Sequence, residues 1–117
     1  MTEDEAETGC SAKTKGYGFT IEATVKSVKG TCGSGHKVGD KIVFDGRTVK
    51  GEMCFSALLH LLPIIHALAW GAEFPWDEHE DVSVWGCPDS ENLVTFELRR
   101  DRSKPWYVKK PQSPCPP

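Results

Sequence analysis

The longest apolar segment of the chain, Phe55–Trp70, constrains the fold more than any other feature. It is shorter than the roughly 20 apolar residues that span a bilayer, and three residues interrupt it: His60, Pro63 and His66. Its apolar residues are dense on most faces, and Gly71 follows as a stop signal. We therefore predict a largely buried helix of a water-soluble domain, beginning at Cys54 and kinked or split at Pro63.

Segments with the composition and alternation of strands surround this helix. There are five of them: Phe19–Val25, Ile42–Phe44, Arg47–Val49, Val82–Trp85 and Leu93–Leu98. Asp45-Gly46 joins the second to the third and supplies the positive φ angles of a type I′ hairpin turn. Turn-forming residues join the last two segments into another predicted hairpin. The predicted fold class is α+β, a small antiparallel sheet packed on one Pro-kinked helix.

Composition divides the 117 residues into three parts. Residues 1–18 form an acidic head and residues 101–117 a basic, proline-rich tail, and we predict that both are disordered. Only residues 19–100 have the patterning of a folded domain. A core of about 80 residues is small, so help from a bound metal or a partner is expected.

The net charge and the first residues of the chain limit the partners and the cellular location that we expect. The chain has 14 Lys and Arg against 17 Asp and Glu, a formal net charge of −3, which gives no general attraction to nucleic acid or to an anionic membrane. The first residues lack the positive and then apolar order of a secretory signal, which predicts a cytoplasmic protein with reduced cysteines. An unknown protein or small-molecule partner and a homo-oligomer are left open.

Three of the five cysteines lie at predicted junctions between elements. Cys32 is in a loop with four glycines in the twelve residues 29–40, Cys54 begins the helix, and Cys87 follows a strand. The unpaired amides of a helix N-terminus lower a thiol pKa, so Cys54 is the best candidate for a thiolate. Cys10 and Cys115 lie in the tails and are considered separately.

The cysteine separations of 22 and 33 residues match no compact zinc pattern. Small buried hydrophobic residues, a metal centre, a catalytic thiol and a disulfide therefore all stay open. Three thiolates with His36 would complete a Cys3His zinc site. Three thiolates alone suit a [4Fe–4S] cluster with one iron open to substrate, which the Cys87-Pro88 step favours slightly. We predict metal binding through Cys32, Cys54 and Cys87, with an iron–sulfur cluster ahead of zinc.

Several stretches of the sequence together resemble a known family. They are the glycine loop 30–40, residues 54–63 and 68–75, Cys87-Pro-Asp, and Phe96-Glu-Leu-Arg99. The chain resembles, over residues 19–100, an uncharacterised prokaryotic three-cysteine family of about 90 residues, an ordinary size for one small domain. The family is frequent in anaerobes, and the resemblance implies iron–sulfur or zinc binding through the three cysteines. The chain differs from that pattern in its two tails and in having Gly33 where proline is common.

Two other functions compete with metal binding. One is an enzyme with Cys54 as nucleophile and His36 or His60 as base. The other is a partner-binding adaptor that uses the tails, bridged through Cys10 and Cys115. His60 and His66 are six residues apart, about 240° around a helix, and cannot share one ion. The acidic run 77–81 lacks the spaced acids and the glycine of a calcium loop, so we expect Asp77, Glu78, Glu80 and Asp81 to face water. The glycine loop lacks the Gly-x4-Gly-Lys-Ser/Thr sequence of a phosphate-binding loop.

Overall fold

The computed structural model describes residues 15–109, so the predictions for Cys10, Cys115 and the chain ends lie outside the described residues. The elements in chain order are β1 (Lys15–Val28), β2 (Lys41–Phe44), β3 (Val49–Lys50), α1 (Phe55–Ala69), β4 (Val82–Gly86) and β5 (Val94–Lys109). The strands form one antiparallel sheet in the order β3-β2-β1-β5-β4. The predicted α+β fold is confirmed, with α1 on one face of the sheet.

The two longest strands, β1 and β5, extend beyond the predicted domain boundaries. They pair from Lys15↔Lys109 to Val28↔Val94, with register shifts after Phe19 and Val25. The sheet therefore includes residues 15–18, assigned above to the head, and 101–109, assigned to the tail. β4 pairs only with β5 residues up to Arg99, so Pro105 lies where β5 is paired on one side. A strand tolerates proline at such an edge because the missing N–H has no partner to lose there.

The core lies between the sheet and one face of α1. The buried residues of the helix recur every three or four positions: Ala57, Leu61, Ile65, Leu68 and Ala69. They pack against alternate residues of the three central strands: Ile21, Ala23, Val25, Ile42, Phe44, Val94, Phe96 and Leu98. This spacing is that of an amphipathic helix on a half-buried sheet.

The prediction of a largely buried helix is wrong. The side chains of Phe55 and Leu59 are 80% and 69% exposed, because the sheet covers only one side of α1. The helix is also continuous through Pro63, so it is not split there. Pro63 lies on the exposed side, where water can satisfy the carbonyl group that loses its helical partner.

The β2–β3 hairpin is confirmed, with a four-residue loop, 45–48, in place of the predicted two-residue turn. The Asp45 carboxylate accepts hydrogen bonds from the amides of Thr48 and Arg47, at 2.9 and 3.0 Å. These bonds lower the pKa of Asp45 to about 2. Gly46 has a φ of +90°, and the indole of Trp106 packs directly against it where any side chain would clash.

A buried arginine closes the C-terminal end of α1. Arg100 Nη1 donates to the carbonyls of Leu68 and Ala72 at 2.7 and 2.9 Å, and Nε donates to Asp81 Oδ1 at 3.0 Å. The prediction that Asp81 faces water is therefore wrong: its carboxylate is mostly buried between Arg100 and Arg102. The helix end, the loop after it and β5 are joined through one side chain.

Within residues 15–109, no helix has both the length and the apolar character needed to cross a membrane.

Candidate functional site

The structure brings Cys32, Cys54 and Cys87 together around one cavity of about 200 Å³. All three are free, partly exposed and in contact with the edge of the core. They come from three different segments, 22 and 33 residues apart in the chain. The same cavity is lined by polar groups from each segment, among them Ser34, Ser56, Asp89 and Asn92.

Cys32 is positioned by a link between the glycine loop and the β4–β5 connection. Asn92 Oδ1 accepts a hydrogen bond from the Thr31 amide at 3.0 Å, and the Cys32 carbonyl accepts one from Gly35 at 3.0 Å. Gly30 has a φ of +73°, and a Cβ atom there would lie 2.5 Å from Asn92 Oδ1. The two loops can approach this closely only because position 30 has no side chain.

Cys54 immediately precedes the first helical residue, and its thiol lies among hydrogen-bond donors. The Ser34 hydroxyl is the strongest cause of a lowered thiol pKa, and the backbone amides of Ala57 and Ser56 act in the same direction. Partial burial opposes them, but the net effect is a lowered pKa. The amides belong to the first turn of α1, which is where unpaired N–H groups favour a negative sulfur.

His36 supports Cys54 through the backbone and does not line the cavity. The ring is buried and packs edge-on against Phe96, with the ring centroids 5.7 Å apart. Its Nε2 accepts a hydrogen bond from the Cys54 amide at 3.0 Å, so the neutral ring carries its proton on Nδ1, 3.9 Å from Asp40 Oδ2. Neither predicted role of His36, fourth ligand or base, corresponds to a contact with a thiol.

Cys87 begins the connection between β4 and β5. Its amide donates to the Val94 carbonyl at 2.9 Å, and its sulfur accepts a hydrogen bond from the Val94 amide at 3.3 Å. Asp89 closes the same turn by accepting from the amides of Asn92 and Glu91 at 3.1 and 3.0 Å, which lowers the pKa of Asp89. The turn places Asp89 and Asn92 beside the sulfur.

Sequence reasoning missed Asn92 and Asp89. The turn formers after Cys87 indicated a turn, but they gave no signal of which other loop the turn contacts.

The remaining candidate residues lie elsewhere. His60 and His66 are exposed on α1, and His79 Nδ1 accepts a hydrogen bond from the Asp81 amide at 3.0 Å. In the part of the chain that the structure describes, no three or more His, Cys, Asp or Glu side chains are arranged so that they could hold a metal ion.

Comparison of the chain with protein-family models, with curated proteins and with solved structures finds no match. The resemblance to a three-cysteine family therefore stays a prediction.

Proposed function

We propose that this protein binds an iron–sulfur cluster, of the [4Fe–4S] type, through the thiolates of Cys32, Cys54 and Cys87. The observation that carries the proposal is the convergence of three free cysteines, from three separate segments, on one cavity. Three thiolates can hold three of the four irons and leave the fourth for a substrate or an external ligand. Three free thiols also suit the reducing cytoplasm.

The donors around the thiols support a negatively charged centre. The Val94 amide donates to the Cys87 sulfur, and the first turn of α1 lowers the pKa of the Cys54 thiol. Amide donors and a helix N-terminus stabilise thiolate ligands, and hydrogen bonds to sulfur set the reduction potential of a cluster. Polar groups line the same cavity, among them Ser34, Asp89 and Asn92, and could contact a ligand bound there.

The position of His36 favours the cluster over zinc. A structural zinc site is closed by four protein ligands, so Cys3His binding would require His36 to leave the Cys54 amide and turn its Nε2 towards the cavity. That would leave the amide at the helix N-terminus unpaired. A cluster held by three thiolates leaves this hydrogen bond in place.

Iron and sulfide analysis of the full chain tests the proposal. Protein purified or reconstituted without oxygen is expected to show a brown colour, a broad visible absorption band, and bound iron with acid-labile sulfide. Cys32→Ser, Cys54→Ser and Cys87→Ser should each lose most of the iron. The double variant Cys10→Ser/Cys115→Ser is the matched control and should load like the parent. A well-folded parent without colour or iron contradicts the proposal.

The variant His36→Gln separates the two metals. Its iron and sulfide content should match that of the parent. If the anaerobic protein instead contains one zinc ion that His36→Gln and the three Cys→Ser variants all lose, the cluster proposal is wrong and the Cys3His site is correct.

A second function, a thiol nucleophile at position 54, is favoured by the lowered pKa of Cys54. The arrangement supplies a thiolate, but the nearest histidine directs its Nε2 to the Cys54 amide. Iodoacetamide labelling at pH 6 followed by mass mapping tests it. Selective labelling of Cys54 in metal-free protein supports the nucleophile, whereas protection of all three thiols until a chelator is added supports the metal centre.

A further inference from the structure

The outer face of α1 is an apolar stripe without charge. Phe55, Leu59, Leu62, His66 and Trp70 recur at spacings of three or four residues, so they lie within about 80° of one another around the helix. The helix contains no Asp, Glu, Lys or Arg at any of its 15 positions. A helix face exposed to water in a monomer normally carries charged residues.

A groove runs beside this stripe. Its volume is about 650 Å³, and its walls come from α1, the β2–β3 hairpin and the indole of Trp106. Leu59, Leu62 and Trp70 contribute to both the stripe and the groove. Trp70 also contacts the rings of Trp106 and Tyr107 edge-on, at centroid distances of 5.2 and 5.8 Å. The aromatic side chains of the groove are therefore concentrated near the C-terminal end of α1.

The exposed apolar area approaches what a stable dimer needs. Six large side chains on and beside the stripe are between 43% and 80% exposed: Phe55, Leu59, Leu62, Trp70, Val49 and Tyr107. Together they expose roughly 600 Å² of mostly apolar surface, if a large side chain has about 150–250 Å² to expose. A standard interface covers about 800 Å² on each partner, and monomers seldom expose so large a contiguous patch.

We propose that a second copy of this chain covers the stripe, with the two α1 helices packed antiparallel across a two-fold axis near Leu62. The stripe is self-complementary because it carries a protruding side chain at one end and the aromatic groove at the other. Phe55 and Trp70 are 15 residues apart, about 22 Å along the helix. An antiparallel partner therefore brings the Phe55 of each copy to the Trp70 end of the other, as an isologous interface requires.

The distribution of charge is compatible with a second copy of the chain on this face. The chain has a net charge of −3, so two copies repel each other weakly overall, and an uncharged contact face avoids adding to that repulsion. Among the residues that line the groove, Arg47 is the charged one. It lies on the hairpin rather than on the helix stripe, so it can remain at the rim of the interface.

Sedimentation velocity of the full chain over a wide concentration range tests the dimer. The parent should sediment at twice the monomer mass, and Leu59→Lys should sediment as a monomer. Val38→Lys is the matched control, because Val38 is 66% exposed, against 69% for Leu59, and lies in the glycine loop away from the stripe. It should stay dimeric. A parent that is monomeric at every concentration overturns the proposal.

A mixing experiment tests the antiparallel register and guards against misfolding of a single variant. Leu62→Lys and Leu62→Glu should each be monomeric, because like charges would meet at the two-fold axis. Mixed in equal amounts, the two variants should form a heterodimer that salt weakens. If the mixture stays monomeric while the parent is a dimer, the helices do not pack about Leu62 and the proposed interface is wrong.

Discussion

The two ends of helix α1 are built differently. At the C-terminal end, the buried Arg100 donates to the carbonyls of Leu68 and Ala72 and to Asp81. At the N-terminal end, the amide of Cys54 donates to His36, and the next amides lie around a partly exposed thiol. One end is closed by a side chain that reaches from the sheet, whereas the other opens onto a cavity.

The side chains at one end of α1 mainly stabilise the fold, whereas those at the other end are available for binding. A guanidinium buried among carbonyl groups is costly to disturb because these groups are shielded from water and would lose a charged donor. The thiols at the other end touch the cavity, so their substitution should change what the protein binds more than how stably it folds.

Arg100→Met should destabilise the fold most, by about 3–5 kcal/mol, because it removes the buried donor from Asp81 and from the carbonyls of Leu68 and Ala72. Urea unfolding measures the loss. Arg99→Met is the control: Arg99 is 52% exposed and pairs with Glu97 at 3.4 Å, so it should cost at most about 1 kcal/mol. Equal losses in the two variants would show that Arg100 does not close the helix end.

His36→Leu should cost about 1–3 kcal/mol, because the Cys54 amide loses its acceptor in a partly buried position. The control is His60→Leu, which replaces an exposed histidine of α1 and should stay within about 0.5 kcal/mol of the parent. Thermal or urea unfolding of the metal-free proteins gives both values. A neutral His36→Leu would mean that the hydrogen bond to the helix N-terminus contributes nothing.

Gly30→Ala should cost about 1–2 kcal/mol, because φ is +73° there and the added Cβ would press on Asn92. Gly33→Ala is the control in the same loop, since Gly33 has an ordinary φ and open space around its Cβ position. The free energy of unfolding in urea should be lower for Gly30→Ala than for Gly33→Ala. If the two variants lose the same stability, the close approach of the loops at Asn92 is not a constraint.

Local patterns predicted the elements of this fold, and long-range pairing decided the rest. The alternation in Phe19–Val25 and the stop at Gly71 were enough to place a strand and a helix end. Pro105 argued against a strand, yet β5 passes through it because pairing with β1 continues along one side only. The sequence alone does not show which side of a strand is unpaired, so it could not show that a strand tolerates proline at this position.

The candidate site also combines features that local sequence patterns predict with contacts that depend on long-range pairing. Each cysteine could be located at a junction from its neighbours in the sequence, since glycines, a helix start and a strand end are local signals. The contact of Asn92 with Thr31, 61 residues away, depends on the sheet order and could not be inferred. The position of His36, four residues from Cys32, makes it a candidate ligand in the sequence, but in the structure its Nε2 accepts a hydrogen bond from the Cys54 amide.

Low pH should also destabilise the C-terminal end of α1, and this loss of stability should be smaller than those of the three substitutions above. Burial alone would raise the pKa of Asp81, but hydrogen bonds and charge from Arg100 and Arg102 outweigh it and leave the pKa lowered. A lowered folded-state pKa contributes stability above the unfolded value, about 3.9, and that stability is lost as pH falls through the folded-state pKa.

Urea midpoints measured from neutral pH down to pH 3 should therefore fall more steeply for the parent than for Asp81→Asn, whose side chain cannot be protonated in this range. Asp77→Asn removes one negative charge from the same loop and serves as the control. If the parent and Asp81→Asn show the same slope, the ion pair with Arg100 contributes nothing that depends on pH, and Arg100 acts through its hydrogen bonds to backbone carbonyls such as those of Leu68 and Ala72.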